Sequence, residues 1–224
     1  MRLLDYMERE GLRATASKVL DKIDAKRGGK AAETVFLRRV NHGLPSLPTP
    51  SGLQIRTIEA LDIPEFERFN FFPHINPNAY VLAKRDGAIG CFDQDRLVGY
   101  VCYESEKRKA IHGTGDFVLE NGEAWVGPCY VDRAYRGRGL NRILVAEAAE
   151  ALERRGITRL FTSINGANAS SLASFQKMGF REFARYSKKY GLQSTLDASS
   201  TTDKDLAVQE KIVVGNAGKD TDNG

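Results

Sequence analysis

The sequence predicts an α/β protein with a mixed, mostly antiparallel central sheet that contains one parallel strand pair and is flanked by helices. Between 123 and 164 an apolar strand-like run, a glycine-bearing turn, a helix-period stretch and a second apolar run follow in order. That β-helix-β order favours parallel neighbours. Upstream, short apolar runs broken by the polar turns at 93–96 and 120–122 read as antiparallel hairpins. With 224 residues, 42% hydrophobic and 28% charged, the chain can bury one good core and a small appendage.

Taken in order, apolar side chains at 3, 4, 7, 12, 16, 19, 20 and 23 make a helical stripe broken at Gly11. Such a helix docks on its own domain or on a second subunit, which leaves a homodimer open. Contact with anionic lipid, helped by Lys26, Arg27 and Lys30, is the other reading, and the mixed charge of the polar face weighs against it. Pro45, Pro48 and Pro50 then mark an extended linker. Three segments result: a helix and proline-rich linker over 1–50, a main domain over 51–190, and a tail over 191–224.

Within the main domain, 53–58 alternates as a first strand, and Asp62 is placed to cap a helix that opens at Pro64 and carries Phe66 and Phe69. The aromatic and proline stretch 70–78 has no clean period. Strands follow at 89–92 and 97–104, and a further one at 116–119 leads through a turn into the central strand from Glu123, an antiparallel meander. Leu140, Ile143, Leu144, Ala148, Ala151 and Leu152 recur at helical spacing until Gly156, a C-terminal cap. A strand at 159–164, a helix at 169–178 and a strand at 180–188 complete the pattern. From Gly191 onward Ser, Thr, Asp, Lys and Gly dominate, little apart from LAVQEKIVV could bury, and the tail over 191–224 is expected to be disordered.

Composition excludes several classes. The net charge of +4 is modest and its arginines cluster at one loop, so nucleic acid is not the expected partner. No 18-residue apolar run exists to span a bilayer, and acids at 5, 8 and 10 interrupt any signal-peptide core, which points to a cytoplasmic protein. Cys91, Cys102 and Cys129 form no CxxC and leave an odd count, so neither disulfides nor a metal site are expected.

The chemistry concentrates in 129–145, CYVDRAYRGRGLNRILV. Gly137 and Gly139 let a phosphate approach the backbone, and the first amides of the following helix lack intrahelical acceptors. The helix dipole and Arg133, Arg136, Arg138 and Arg142 add positive charge suited to a pyrophosphate. The loop has neither the Lys-Ser/Thr pair of a Walker loop nor the three spaced glycines of a dinucleotide fingerprint. RGRGLN resembles instead the pyrophosphate loop Q/R-x-x-G-x-G/A of the GNAT superfamily of acyl-CoA N-acyltransferases. NASSLASFQKMGF, at 168–180, is similar to that superfamily's N-x-x-A-x-x-x-Y-x-K-x-G-F segment. One slot is non-standard in either register: Ala134 replaces the outer residue, or Asn141 replaces the last small one. The usual tyrosine of the second segment is Phe175. The resemblance covers roughly 53–189.

The resemblance implies a splayed strand pair whose gap takes pantetheine against the main chain of Cys129, Tyr130 and Val131. It implies a pyrophosphate on the amides of Arg138, Gly139, Leu140 and Asn141, beside Gly137 and with Arg136 and Arg142 helping. Asn168 reads as a helix N-cap, and by resemblance as a pantetheine contact as well. Phe175 packs either on pantetheine or on the apolar face it shares with Leu172. Direct transfer needs a base for the alkylammonium proton. Glu123, which starts the central strand, is the first candidate, against a solvent-exposed turn acid; Asp132 and Glu104 follow. A main-chain N–H near Tyr130 would meet the oxyanion. Cys129, with no paired histidine in the sequence, reads as packing.

The expected function is an acetyl-CoA-dependent N-acetyltransferase acting without a covalent intermediate and without a metal. Its acceptor would be a small-molecule amine: an amino sugar, an amino acid or a polyamine. A non-catalytic CoA-binding regulatory or scaffolding module is the rival reading.

Overall fold

In the computed structural model of the chain, the residues described are 7, 10–12, 15–16, 32–45, 47–70, 76–82, 87–105, 108–111, 115–188, 195–197 and 212–214. Eleven strands run in chain order: β1 (Ala32–Val40), β2 (Leu53–Thr57), β3 (Gly87–Asp93), β4 (Arg96–Glu104), β5 (Arg108–Ile111), β6 (Gly115–Val118), β7 (Glu123–Val131), β8 (Arg159–Asn165), β9 (Arg181–Lys188), β10 (Thr195–Asp197) and β11 (Ile212–Val214). Among the described residues, the continuous α-helices are α1 (Ile63–Phe69), α2 (Pro77–Leu82), α3 (Leu140–Glu153) and α4 (Ala169–Lys177). The main sheet has eight strands in the order β10-β9-β1-β8-β7-β4-β3-β2, and a second sheet is ordered β11-β6-β5. The β7–β8 pair is parallel, and its neighbours β4 and β1 are antiparallel to it.

The helical stripe of α3 buries Leu140, Ile143, Leu144, Val145, Ala148 and Leu152 against Val98, Val101, Ala124 and Val126 of the sheet. Burial of this kind is worth about 1.5–3 kcal/mol per large aliphatic side chain. The helix stops where the spacing predicts. Gly156 takes φ +78, the Gly156 amide donates to Glu153 O at 2.9 Å, and that of Ile157 donates to Leu152 O at 3.1 Å. On the opposite face, Phe66 and Phe69 of α1 and Tyr80 of α2 pack with Tyr100, Cys102 and Tyr130. Beside them the second sheet contributes Phe117 to a cluster with Phe36, Trp125, Phe161 and Phe183.

Four expectations are corrected. Residues 32–40, which fall within the 1–50 segment expected to be a helix and proline-rich linker, form β1, which pairs with both β8 and β9 in the main sheet. The 116–119 segment does not feed the meander: β6 lies in the second sheet, and β4 pairs directly with β7. Asp62 makes no side-chain cap on α1; its carboxylate accepts from Arg56 and from the Glu59 amide instead. In the expected tail, Thr195–Asp197 adds to β9 and Ile212–Val214 adds to β6. Of the expected N-terminal helix, Met7, Glu10, Leu12, Thr15 and Ala16 are helical, and its other positions lie outside the described residues except Gly11.

Candidate active site

The parallel pairing of β7 with β8 covers only Glu123↔Arg159, Ala124↔Leu160 and Trp125↔Phe161. Beyond it the strands part. The divergence begins where the register between β4 and β7 shifts by one residue, around Gly127 and Pro128. Further along, Asp132 donates its amide to Val98 O at 2.9 Å. Successive backbone groups of a strand point to opposite edges, so Tyr130 also faces β4, while Cys129 and Val131 turn their backbone toward the gap. The main-chain N–H groups near Tyr130 that face the gap are therefore those of Cys129 and Val131. Thr162, buried on β8, has its Oγ1 3.6 Å from where a Cβ on Gly127 would lie.

At the open end lies the glycine loop. Gly137 (φ +80) and Gly139 (φ +77) adopt left-handed backbone, and an added Cβ at either would meet nothing within 4 Å. Among the described residues the first backbone donations of α3 come from Arg142 and Ile143, both to Gly139 O, at 2.9 and 3.2 Å. The amides of Leu140 and Asn141 precede them and have no such backbone acceptor. Arg142 keeps its Nε buried without a hydrogen-bond partner.

The other predicted residues divide. Arg136 is engaged: its Nε donates to Val131 O at 3.0 Å, and its two terminal nitrogens donate to the Glu10 carboxylate at 2.8 and 2.7 Å. The Tyr130 hydroxyl donates to the same carboxylate at 2.9 Å. Burial works to raise the Glu10 carboxyl, but the bonds from Arg136 and Tyr130 and the charges of Arg136 and Arg133 outweigh it and hold it below the usual range. Arg138 lies over the Tyr135 ring at 5.2 Å. Cys129 donates to Asn141 Oδ1 at 2.6 Å, and Asn141 in turn donates to Ser174 Oγ at 3.1 Å. Burial pushes the Cys129 thiol up to about 12, which suits packing and not nucleophilic attack.

Asn168 caps α4, accepting from the Ser171 amide at 3.1 Å, and Asn165 is a turn residue that accepts from the Ala167 amide at 2.9 Å. Phe175 is 3% exposed and stands edge-on to Phe180 with centroids 5.0 Å apart, on the core face shared with Leu172. Glu123 is not brought to the gap. It sits at the closed end of the β7–β8 pair, 1% exposed, with its carboxylate 3.0 Å from Arg159 and accepting from the Glu120 amide at 2.9 Å. At about 3.3 Å per residue, Cys129 is on the order of 20 Å along the strand.

The Acetyltransferase (GNAT) family profile matches residues 54–180, more than half of the 224 residues. The chain belongs to the GNAT family. It is 27% identical over 192 residues to the mycothiol acetyltransferase of Beutenbergia cavernae, covering 75% of this chain and 64% of that one. It is 26% identical over 128 residues to the ribosomal protein bS18-alanine N-acetyltransferase of Escherichia coli K12, covering 57% and 80%. The GCN5-related N-acetyltransferase structure from Sphaerobacter thermophilus shares the fold at a TM-score of 0.54 and 17% identity, over 78% of this chain and 55% of that one. The GNAT chain thus spans less than two thirds of the mycothiol relative.

On the face of this GNAT sheet opposite α3, β4 presents Tyr100, Cys102 and Glu104, and β7 presents Trp125 and Tyr130. Glu104 pairs in register with Trp125, two residues before Gly127, and accepts a hydrogen bond from the Tyr80 hydroxyl of α2. Among the three candidate carboxylates it is the one beside the divergence. Asp132, the third, caps the turn at Ala134 and meets Arg96 at 3.3 Å. Among the described residues no group of His, Cys, Asp and Glu could hold a metal ion, and no helix is long and apolar enough to cross a membrane.

Proposed function

We propose that the chain is an N-acetyltransferase that moves an acetyl group from acetyl-CoA directly to the primary amine of a small molecule. The observation that carries this reading is the main-chain edge left unpaired by β8 at Cys129 and at the Val131 amide, lying beside a glycine loop whose leading helix amides have no backbone acceptor. Leu140, Asn141 and the Gly137–Gly139 backbone fit an anionic diphosphate, and Arg142 and Arg138 add charge there. Bound there, the coenzyme supplies its acetyl group as a thioester.

The chain's own groups divide the remaining work. Cys129 N–H meets the carbonyl oxygen as it gains charge. Glu104 takes the proton of the incoming ammonium, held in place by Tyr80. The N–C bond forms and the C–S bond breaks; the nitrogen gives its second proton to water and the thiolate takes one from water, leaving the amide and the free thiol. A thiol near pKa 8.5 leaves without a dedicated acid, which accommodates Phe175 in the tyrosine position.

Thiol release from acetyl-CoA with a panel of amino acids, amino sugars and polyamines tests the activity. Glu104→Gln is expected to lower kcat by about 10²- to 10⁴-fold while the CoA affinity measured by calorimetry holds. Coenzyme binding with no thiol release from any amine would instead establish the non-catalytic binding module.

A further inference from the structure

A cavity of about 560 Å³ opens at the C-terminal end of β7, on the face opposite α3, between Phe69, Tyr130 and the guanidinium-bearing residues Arg68, Arg96 and Arg133. That volume suits a small molecule. Among the described residues its one lining acid is Asp132, which is occupied by Arg96 and by the Ala134 amide. Arg68 meets the Glu65 carboxylate through Nε and one terminal nitrogen, at 2.7 and 2.5 Å. Arg133 forms no ion pair with a described residue, and the nearby Glu10 carboxylate is already held by Arg136. Arg68 and Arg96 are thus paired, with Glu65 and Asp132, while Arg133, whose charge also reaches the Glu10 carboxylate, is the lining cation with no ion pair of its own among the described residues.

Resting on the acetyltransferase reading above, we propose that this cavity is the acceptor subsite and that it selects an amine carrying an anionic group, a carboxylate or a phosphate. Tyr130, on the cavity wall, is next in sequence to Cys129, whose amide faces the gap. An amine that reaches past Tyr130 to the gap trails its anionic group toward the arginines. Guanidinium groups match carboxylate and phosphate oxygens in pairs, whereas a second ammonium on the acceptor meets the unpaired Arg133 charge and carboxylates already held by arginines. Among amino sugars, amino acids and polyamines, the cavity favours amino acids and disfavours polyamines. Phe69 and Tyr130, with ring centroids 5.5 Å apart, give the carbon skeleton an apolar wall.

The test uses amines paired so that only the anion changes. Glycine is compared with glycinamide, β-alanine with its amide, and phosphoethanolamine with ethanolamine; spermidine is the polycation. Thiol release gives kcat/KM, and calorimetry with the coenzyme-loaded chain gives binding without turnover. The acid is expected to exceed its uncharged counterpart by about tenfold or more, the margin shrinking in high salt. The carboxylate and phosphate pairs show which anion fits. Arg133→Ala is expected to erase most of the margin, and Arg133→Lys to restore part of it. If acid and amide react alike while thiol is released, the subsite assignment falls and acetyl transfer stands. If no amine releases thiol yet acids bind and amides do not, the anion pocket stands and the transfer reading falls. Equal or better use of spermidine overturns the proposal.

Discussion

Gly139 sets the backbone from which α3 begins, and its left-handed φ of +77 is a conformation that costs an L-residue about 1–2 kcal/mol. Gly139→Ala has room for its Cβ, so its effect comes through the backbone. A loss of about tenfold in CoA affinity by calorimetry, larger than the change in urea stability, is the expected result. Cys129 is predicted to resist iodoacetamide in the native chain near pH 8 and to react once unfolded, because burial holds its thiol near 12. Glu123→Gln should reduce urea stability by about 1–3 kcal/mol, discounted for the half-exposed Arg159, and alter thiol release only through the folded fraction. The glycine loop was legible because its requirement is local: two residues without Cβ ahead of a helix. The role of Glu123 was not, since strand position alone does not say which end of a parallel pair is closed; that depends on its register with Arg159. Glu104 acquires its place from Tyr80, 24 residues away in sequence, and no spacing rule connects them.

At the level of elements, α3 was the most legible piece because its apolar spacing, its glycine start and its glycine stop agree. Leu144, fully buried at its centre, tests how much that packing holds: Leu144→Ala should cost about 2–5 kcal/mol in urea unfolding. The helical residues around Glu10 are tied to the loop after β7 by the Arg136 and Tyr130 contacts. The Glu10 carboxyl is lowered in the folded chain, so the contact's contribution is full above the unfolded value of about 4.3 and is lost as pH falls through the folded value. The stability gap between the wild-type chain and Glu10→Gln should therefore be widest above about pH 5 and close toward lower pH. β1 was the least legible element. Its apolar core is only Val35, Phe36 and Leu37, flanked by charged residues, too short a run to separate strand from helix before its neighbours are known.

For the whole molecule, β1 decides where the folding unit begins. A chain cut at residue 51, after the prolines, would leave β8 and β9 without the strand that pairs with both. Such a chain is expected to be insoluble or to lack a cooperative urea transition, whereas addition of the 32–40 segment as a separate peptide should restore part of the signal. The arrangement also sets the order of events at synthesis. Thr34 meets Asn165, so β1 is synthesised well before β8 and β9 and has neither partner until they have followed it. An unpaired apolar strand held through translation is a natural client for a chaperone, and refolding from urea should be slow for a chain of this size.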